Sequence, residues 1–153
     1  MAMSIWDKLR EGVTTSSAAA TRKLAKKLGA ILPADSTIAL HGDLGSGKTT
    51  FVAGLASAWE IEGPVTSPTF NLFTIHKGSR MLVHLDAYRL KSSEDMDALM
   101  IGEFLKSPWC IAVEWPENVA EWLPKDALHI ELKDSGKGTR TIRLSDGGRF
   151  VAP

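Results

Sequence analysis

His41-Gly42-Asp43-Leu44-Gly45-Ser46-Gly47-Lys48-Thr49-Thr50 fits the phosphate-loop pattern G-x-x-x-x-G-K-[ST] at Gly42, Gly47, Lys48 and Thr49, with no substitution. The flanks agree with it. Ser36-Thr37-Ile38-Ala39-Leu40 is β-branched and apolar, as a buried strand should be. Thr50 to Trp59 (TFVAGLASAW) reads as a helix with Phe51, Leu55 and Ala58 on one face. A strand, a glycine turn and a helix N-terminus together make an anion site. Backbone N–H groups point into the loop and the helix dipole adds partial positive charge. Glycine suits the turn because a side chain would block the approach of phosphate oxygens. In such a loop Lys48 reaches the β- and γ-phosphates and the Thr49 hydroxyl holds Mg²⁺.

A Mg²⁺·nucleotide site also needs carboxylates at the carboxyl ends of neighbouring strands. Two are available: Asp86 after Met81-Leu82-Val83-His84-Leu85, and Glu114 after Cys110-Ile111-Ala112-Val113. One can bind the metal and the other can orient or deprotonate the attacking water; spacing alone leaves their order open. Thr66-Ser67-Pro68-Thr69 is a candidate switch, with the Ser67 and Thr69 hydroxyls placed to report on the γ-phosphate. His41, His76, His84 and His129 form no metal-ligand spacing and read as structural. Cys110 sits inside an apolar strand and reads as a buried small hydrophobe. No [NT]-K-x-D segment of the guanine-reading kind is present, which favours adenine as the base.

The rest of the chain frames this unit. Its 153 residues suit one domain, with 18 basic and 18 acidic residues that leave no net charge. That balance argues against a direct grip on tRNA or DNA. A single cysteine and no long apolar run suggest a cytoplasmic protein without a membrane span. Residues 1–12 read as a helical turn or weakly ordered arm, Val13 to Thr15 as an edge strand, and Ala18 to Leu28 as a helix ended by Gly29. Arg22, Lys23, Lys26 and Lys27 form its solvated face. Asn71 to His76 and Met81 to Leu85 read as a hairpin, and Glu94 to Met100 as an acidic helix running on towards Leu105. Strands follow at Trp109 to Val113, Ala127 to Leu132 and Thr139 to Leu144, and residues 146–153 as a loose tail. The expected fold is an α/β phosphate-loop domain with a mixed sheet flanked by helices.

Four stretches in register carry a resemblance: the phosphate loop, Thr66-Ser67-Pro68-Thr69-Phe70, His84-Leu85-Asp86-Ala87-Tyr88-Arg89-Leu90 and Val113-Glu114-Trp115-Pro116-Glu117. Over Thr15 to Leu144 the chain resembles the bacterial TsaE family, also called YjeE. The resemblance implies an ATPase that supports threonylcarbamoylation of the adenosine beside the anticodon of tRNAs reading ANN codons. It further implies that the protein acts through a heterodimer of two sugar-kinase-like partners, TsaB and TsaD, and meets tRNA only indirectly. Carried over by motif, Gly45, Ser46, Gly47, Lys48, Thr49 and Thr50 would cradle the phosphates of ATP. Thr49 and Glu114 would bind Mg²⁺, Asp86 would serve the water, and Ser17, Ala18 and Thr21 would lie near the adenine. Two departures stand out. Ala18-Ala19-Ala20 occupies the place where relatives commonly carry acidic residues, and Ala87 replaces a bulkier apolar residue.

Two other classes fit a bare phosphate loop. A small-molecule kinase would want an arginine-bearing lid, and Arg89 is the only arginine between Arg80 and Arg140. A non-catalytic nucleotide sensor would tolerate loss of Asp86.

Overall fold

In the computed structural model, which describes residues 3–43, 45–66 and 72–145, seven strands form one sheet in the order β1-β7-β6-β2-β5-β4-β3. In chain order the elements are α1 (Ile5–Glu11), β1 (Val13–Thr15), α2 (Ala18–Ile31), β2 (Ser36–His41) and α3 (Lys48–Ala58). Then come β3 (Phe73–Lys77), β4 (Met81–Asp86), α4 (Ser93–Asp97), β5 (Trp109–Glu114), β6 (Leu128–Gly136) and β7 (Thr139–Leu144). Short 3₁₀ turns follow β4 at Ala87–Arg89 and β5 at Pro116–Val119. The four central strands, β6, β2, β5 and β4, run parallel. Antiparallel pairings extend them, β7 on β6 and then β1 on β7 at one side, and β3 on β4 at the other. The sheet is mixed and the fold α/β, as its patterning predicts.

Because side chains alternate across a strand, the central strands feed two cores. On one face Ile38, Leu40, Leu82, Cys110, Ala112, Leu128 and Ile130 pack against Leu24, Leu28, Phe51 and Leu55 of α2 and α3. On the other, Val83, Leu85, Ile111 and Val113 meet Met96, Ile101 and Val119. Burial on both faces explains why β2, β4 and β5 lack the apolar–polar alternation of a half-exposed strand. Cys110 is fully buried, and its thiol is pushed up to about 12 by desolvation.

Three readings need correction. Of the two readings of the first stretch, the helical turn holds and the weakly ordered arm does not, and Ile5–Glu11 runs to about two turns: Ser4 accepts from the Asp7 N–H at 3.1 Å, Asp7 accepts from the Ser4 N–H in return, and Trp6 and Leu9 are buried. Gly29 does not end α2, which continues to Ile31. A Cβ at Gly29 would stand 2.9 Å from Ala58 Cβ, and one at Gly54 would stand 2.5 Å from the Arg22 carbonyl oxygen. These glycines serve the close crossing of α2 and α3 rather than a cap. The acidic helix is also shorter than its composition suggests. Ser92 caps α4, but Met100 takes a left-handed conformation (φ 53°), and a separate 3₁₀ turn, Ile101–Glu103, follows.

Arg80, in the turn between β3 and β4, ties distant segments together. Its guanidinium is buried, donates to the carbonyls of Leu32, Pro33 and Trp109, and lies over the Trp59 ring. It thereby fixes the end of α2 to the start of β5, on the edge opposite the phosphate loop.

Candidate functional site

β2 delivers the chain into the loop and α3 carries it away, so the glycine turn sits at the carboxyl edge of the parallel strands. Two glycines are there for stated reasons. A Cβ at Gly42 would stand 2.6 Å from the Leu132 carbonyl oxygen and 2.5 Å from Ser46 Oγ, too close for any larger residue. Gly47 starts α3 with φ 100°, in left-handed space that L side chains avoid, and no side chain caps the helix. The first N–H groups of α3 have no intrahelical acceptor and are left for an anion.

Lys48 is buried, donates from Nζ to the Gly42 carbonyl at 2.7 Å, and lies 4.0 Å from the centroid of the Trp115 ring. No carboxylate among the described residues pairs with it. A buried ammonium held, among the described residues, by a carbonyl and a π face is well suited to exchange the carbonyl for a phosphate.

Gly45, Gly47, Lys48, Thr49, Thr50, Glu114 and Arg140 line one cavity of about 340 Å³. Glu114, at the end of β5, is buried and accepts a 2.5 Å hydrogen bond on Oε2 from His84 Nε2. Asp86, at the end of β4, stands opposite Glu114 in the strand register but outside that lining. One of its oxygens, Oδ1, caps the following turn by accepting from the Tyr88 N–H at 3.0 Å. Asn118 binds the two turns that follow these acids, donating to the carbonyls of Ala87 and Tyr88. The Ser46 hydroxyl is buried without a partner among the described residues, and Ser46 lines a second cavity beside the loop together with His41, Trp115 and Glu117.

The remaining predicted residues sit elsewhere or are not described. Ser17 caps α2 by accepting from the Ala20 N–H, and Ala18 is exposed at its start. Thr21 is buried with its hydroxyl 2.7 Å from that of Thr15. None of the three lines the loop cavity. Ser67 and Thr69, read as the switch, and the tail at 146–153 lie outside the described residues.

Three contacts escaped the sequence reading. His84 bonds Glu114, so this histidine belongs with the acids rather than with the scaffold. Trp115 covers the Lys48 ammonium, and Arg140 enters the cavity from β7, paired with Asp134 at 3.4 Å. The pairing of β1 with β7 sets Arg140 opposite Thr15, a contact that local spacing does not reveal. His41 and His129 form a stacked pair, 2.8 Å between Nε2 and Nδ1, and burial lowers the pKa of each.

These residues fit a Mg²⁺·nucleotide. The partnerless Ser46 hydroxyl, the uncapped N-terminus of α3 and the unpaired-by-acid Lys48 all offer donors to an anion. Thr49 and Glu114 bring a hydroxyl and a carboxylate to the same cavity. Hard oxygen donors of this kind suit Mg²⁺, which takes few protein ligands and completes its shell with phosphate and water.

A family model described as "Threonylcarbamoyl adenosine biosynthesis protein TsaE" matches residues 15–142. The chain is 36% identical over 129 residues to the tRNA threonylcarbamoyladenosine biosynthesis protein TsaE of Treponema pallidum (strain Nichols), covering 84% of this chain and 96% of that one. It is 35% identical over 158 aligned residues to the protein of the same name from Mycobacterium bovis, with 93% and 94% covered. Among solved structures, the crystal structure of Bacillus subtilis YdiB superposes with a TM-score of 0.73 at 30% identity, covering 91% of this chain and 87% of that one.

Proposed function

The chain belongs to the TsaE family, and from that premise we propose that it is the Mg²⁺-dependent ATPase subunit of tRNA threonylcarbamoyladenosine biosynthesis. It works in the cytoplasm on a TsaB–TsaD-type heterodimer and meets tRNA only through that complex. No helix among the described residues is long and apolar enough to cross a membrane. The observation that carries the ATPase reading is the single cavity in which the phosphate-loop residues Gly45, Gly47, Lys48, Thr49 and Thr50 face Glu114.

In this reading the N–H groups at the start of α3 bind phosphate oxygens, and Lys48 leaves the Gly42 carbonyl to bind the β- and γ-phosphates. Thr49 and Glu114 would hold Mg²⁺, which would supply neutralisation of the phosphate charge. Asp86 orients the attacking water: its Oδ1 is fixed by the Tyr88 N–H, which holds the carboxylate in place and leaves Oδ2 as acceptor. Trp115 shields the Lys48 ammonium from water and so strengthens its pull on phosphate. Ser17, Ala18 and Thr21 remain proposed adenine neighbours, and Ser67 and Thr69 a proposed switch, on sequence resemblance alone.

Calorimetric titration of Mg²⁺·ATP into the wild-type chain and Lys48→Ala tests the site. A charge-assisted hydrogen bond is worth about 1.5–3 kcal/mol, so affinity should fall about ten-fold or more while thermal unfolding stays cooperative. Equal affinities would remove the phosphate-loop assignment.

A further inference from the structure

We propose that His84 is a positioning residue for Glu114: its Nε2–H holds one carboxylate oxygen so that the other is presented to the metal position in the phosphate-loop cavity. The inference rests on the reading of Glu114 as a Mg²⁺ ligand. His84 lies two residues before Asp86 on β4, and in the parallel register it stands opposite Ala112, two residues before Glu114 on β5. His84 and Glu114 are therefore diagonal neighbours on the same face of the sheet. The small Ala112 between them leaves room for the imidazole to reach across. The resulting bond is 2.5 Å, between an imidazole with no exposed surface and a carboxylate only 6% exposed.

The hydrogen-bond pattern orients the ring. A carboxylate accepts, so Nε2 carries the hydrogen and Glu114 Oε2 is committed to it. Oε1 is then the oxygen left for the cavity that Glu114 lines with Thr49. The opposite nitrogen, Nδ1, is buried and has no partner among the described residues. A polar ring buried with one nitrogen unsatisfied is a poor choice for packing, since its face of the sheet is otherwise filled by Leu82, Cys110 and Ala112. What the histidine adds over an apolar residue is the bond to Glu114. Hydrogen-bonded partners behind a metal ligand commonly change metal affinity by about 10–100-fold when removed.

The test is a calorimetric titration of Mg²⁺ into the full chain saturated with a non-hydrolysable ATP analogue, for the wild type, His84→Gln, Glu114→Gln and the double variant. The expected result is a half-saturating Mg²⁺ concentration raised at least about ten-fold by His84→Gln, with analogue binding in the absence of Mg²⁺ unchanged. In the Glu114→Gln background the same substitution should add nothing. If Glu114→Gln moves the Mg²⁺ midpoint and His84→Gln does not, the positioning role is wrong while the metal reading stands. If Glu114→Gln itself moves nothing, both fall. Should His84→Gln not fold, ¹⁵N spectra of the wild-type histidine rings decide. The His84 Nε2 resonance should shift when Mg²⁺ joins the analogue complex, and a resonance that stays in place overturns the proposal.

Discussion

Asp86 and Glu114 end adjacent parallel strands and face each other in register, yet their surroundings differ. Glu114 is buried, bonded to His84, and lines the loop cavity; Asp86 is half-buried and anchored by the Tyr88 N–H outside it. The difference predicts separable defects. Glu114→Ala should raise the Mg²⁺ concentration needed for ATP binding. Asp86→Asn keeps an oxygen for the Tyr88 cap but loses the charge, so it should bind Mg²⁺·ATP like the wild type and hydrolyse it about 10²–10⁴-fold more slowly. Measuring ATP affinity across a Mg²⁺ series alongside phosphate release checks both, and the reverse pattern would exchange the roles. At this scale, legibility followed contiguity. The phosphate-loop motif from Gly42 to Thr49 is legible because its eight residues are consecutive in the chain, and each acid is legible because it ends an apolar strand. His84, Trp115 and Arg140 were missed because each acts across strands, through a diagonal pair, a ring over Lys48 and the β1–β7 edge.

The element that holds the loop in place is the crossing of α2 and α3, where Gly54 meets the Arg22 backbone and Gly29 meets Ala58. Replacing Gly54 by Ala pits two effects against each other. Helix propensity favours Ala by about 1 kcal/mol. A Cβ 2.5 Å from the Arg22 carbonyl oxygen and 2.6 Å from Ala25 Cβ forces the helices apart. Overpacking of this kind costs roughly 1–3 kcal/mol, and the obstacle is backbone that cannot rotate away. Gly54→Ala should therefore destabilise the protein by up to about 2 kcal/mol in urea unfolding, against a gain if the crossing were loose. The same crossing explains why Gly29 misled the helix boundary: a glycine after an apolar stripe resembles a cap, and only the partner helix shows that it is a contact. The length of α4 was illegible for a similar reason, since the left-handed turn at Met100 and the burial of Ile101 depend on the second core. By contrast β7 keeps the bounds Thr139–Leu144 that its pattern predicts, with Ile142 and Leu144 buried on one face and Arg143 exposed between them.

Across the whole molecule, charge is balanced at 18 basic and 18 acidic residues, so acid sensitivity falls to half-buried histidines rather than to net repulsion. Burial lowers the pKa of His41, His76 and His129. The unfolded chain takes up protons at these residues near pH 6.5, before the folded one does. More protons are then bound by the unfolded state below about pH 6.5, and stability falls as the pH drops through that range. Thermal unfolding at about pH 7.5 and 5.5 should show the loss, and His129→Asn, which removes one of the three, should reduce it; an unchanged slope would place the sensitivity elsewhere. The architecture was legible because a phosphate loop between a buried strand and a helix fixes a parallel sheet, with the acids at its carboxyl edge. What a partner does to that edge is the central proposal, and one measurement tests it most directly: phosphate release from Mg²⁺·ATP by the purified chain, alone and with the TsaB–TsaD-type pair. Hydrolysis should be slow alone, rise clearly with the pair, and show no rise in Asp86→Asn. Fast hydrolysis indifferent to the pair, or phosphate transferred to a small acceptor instead of water, would contradict that proposal.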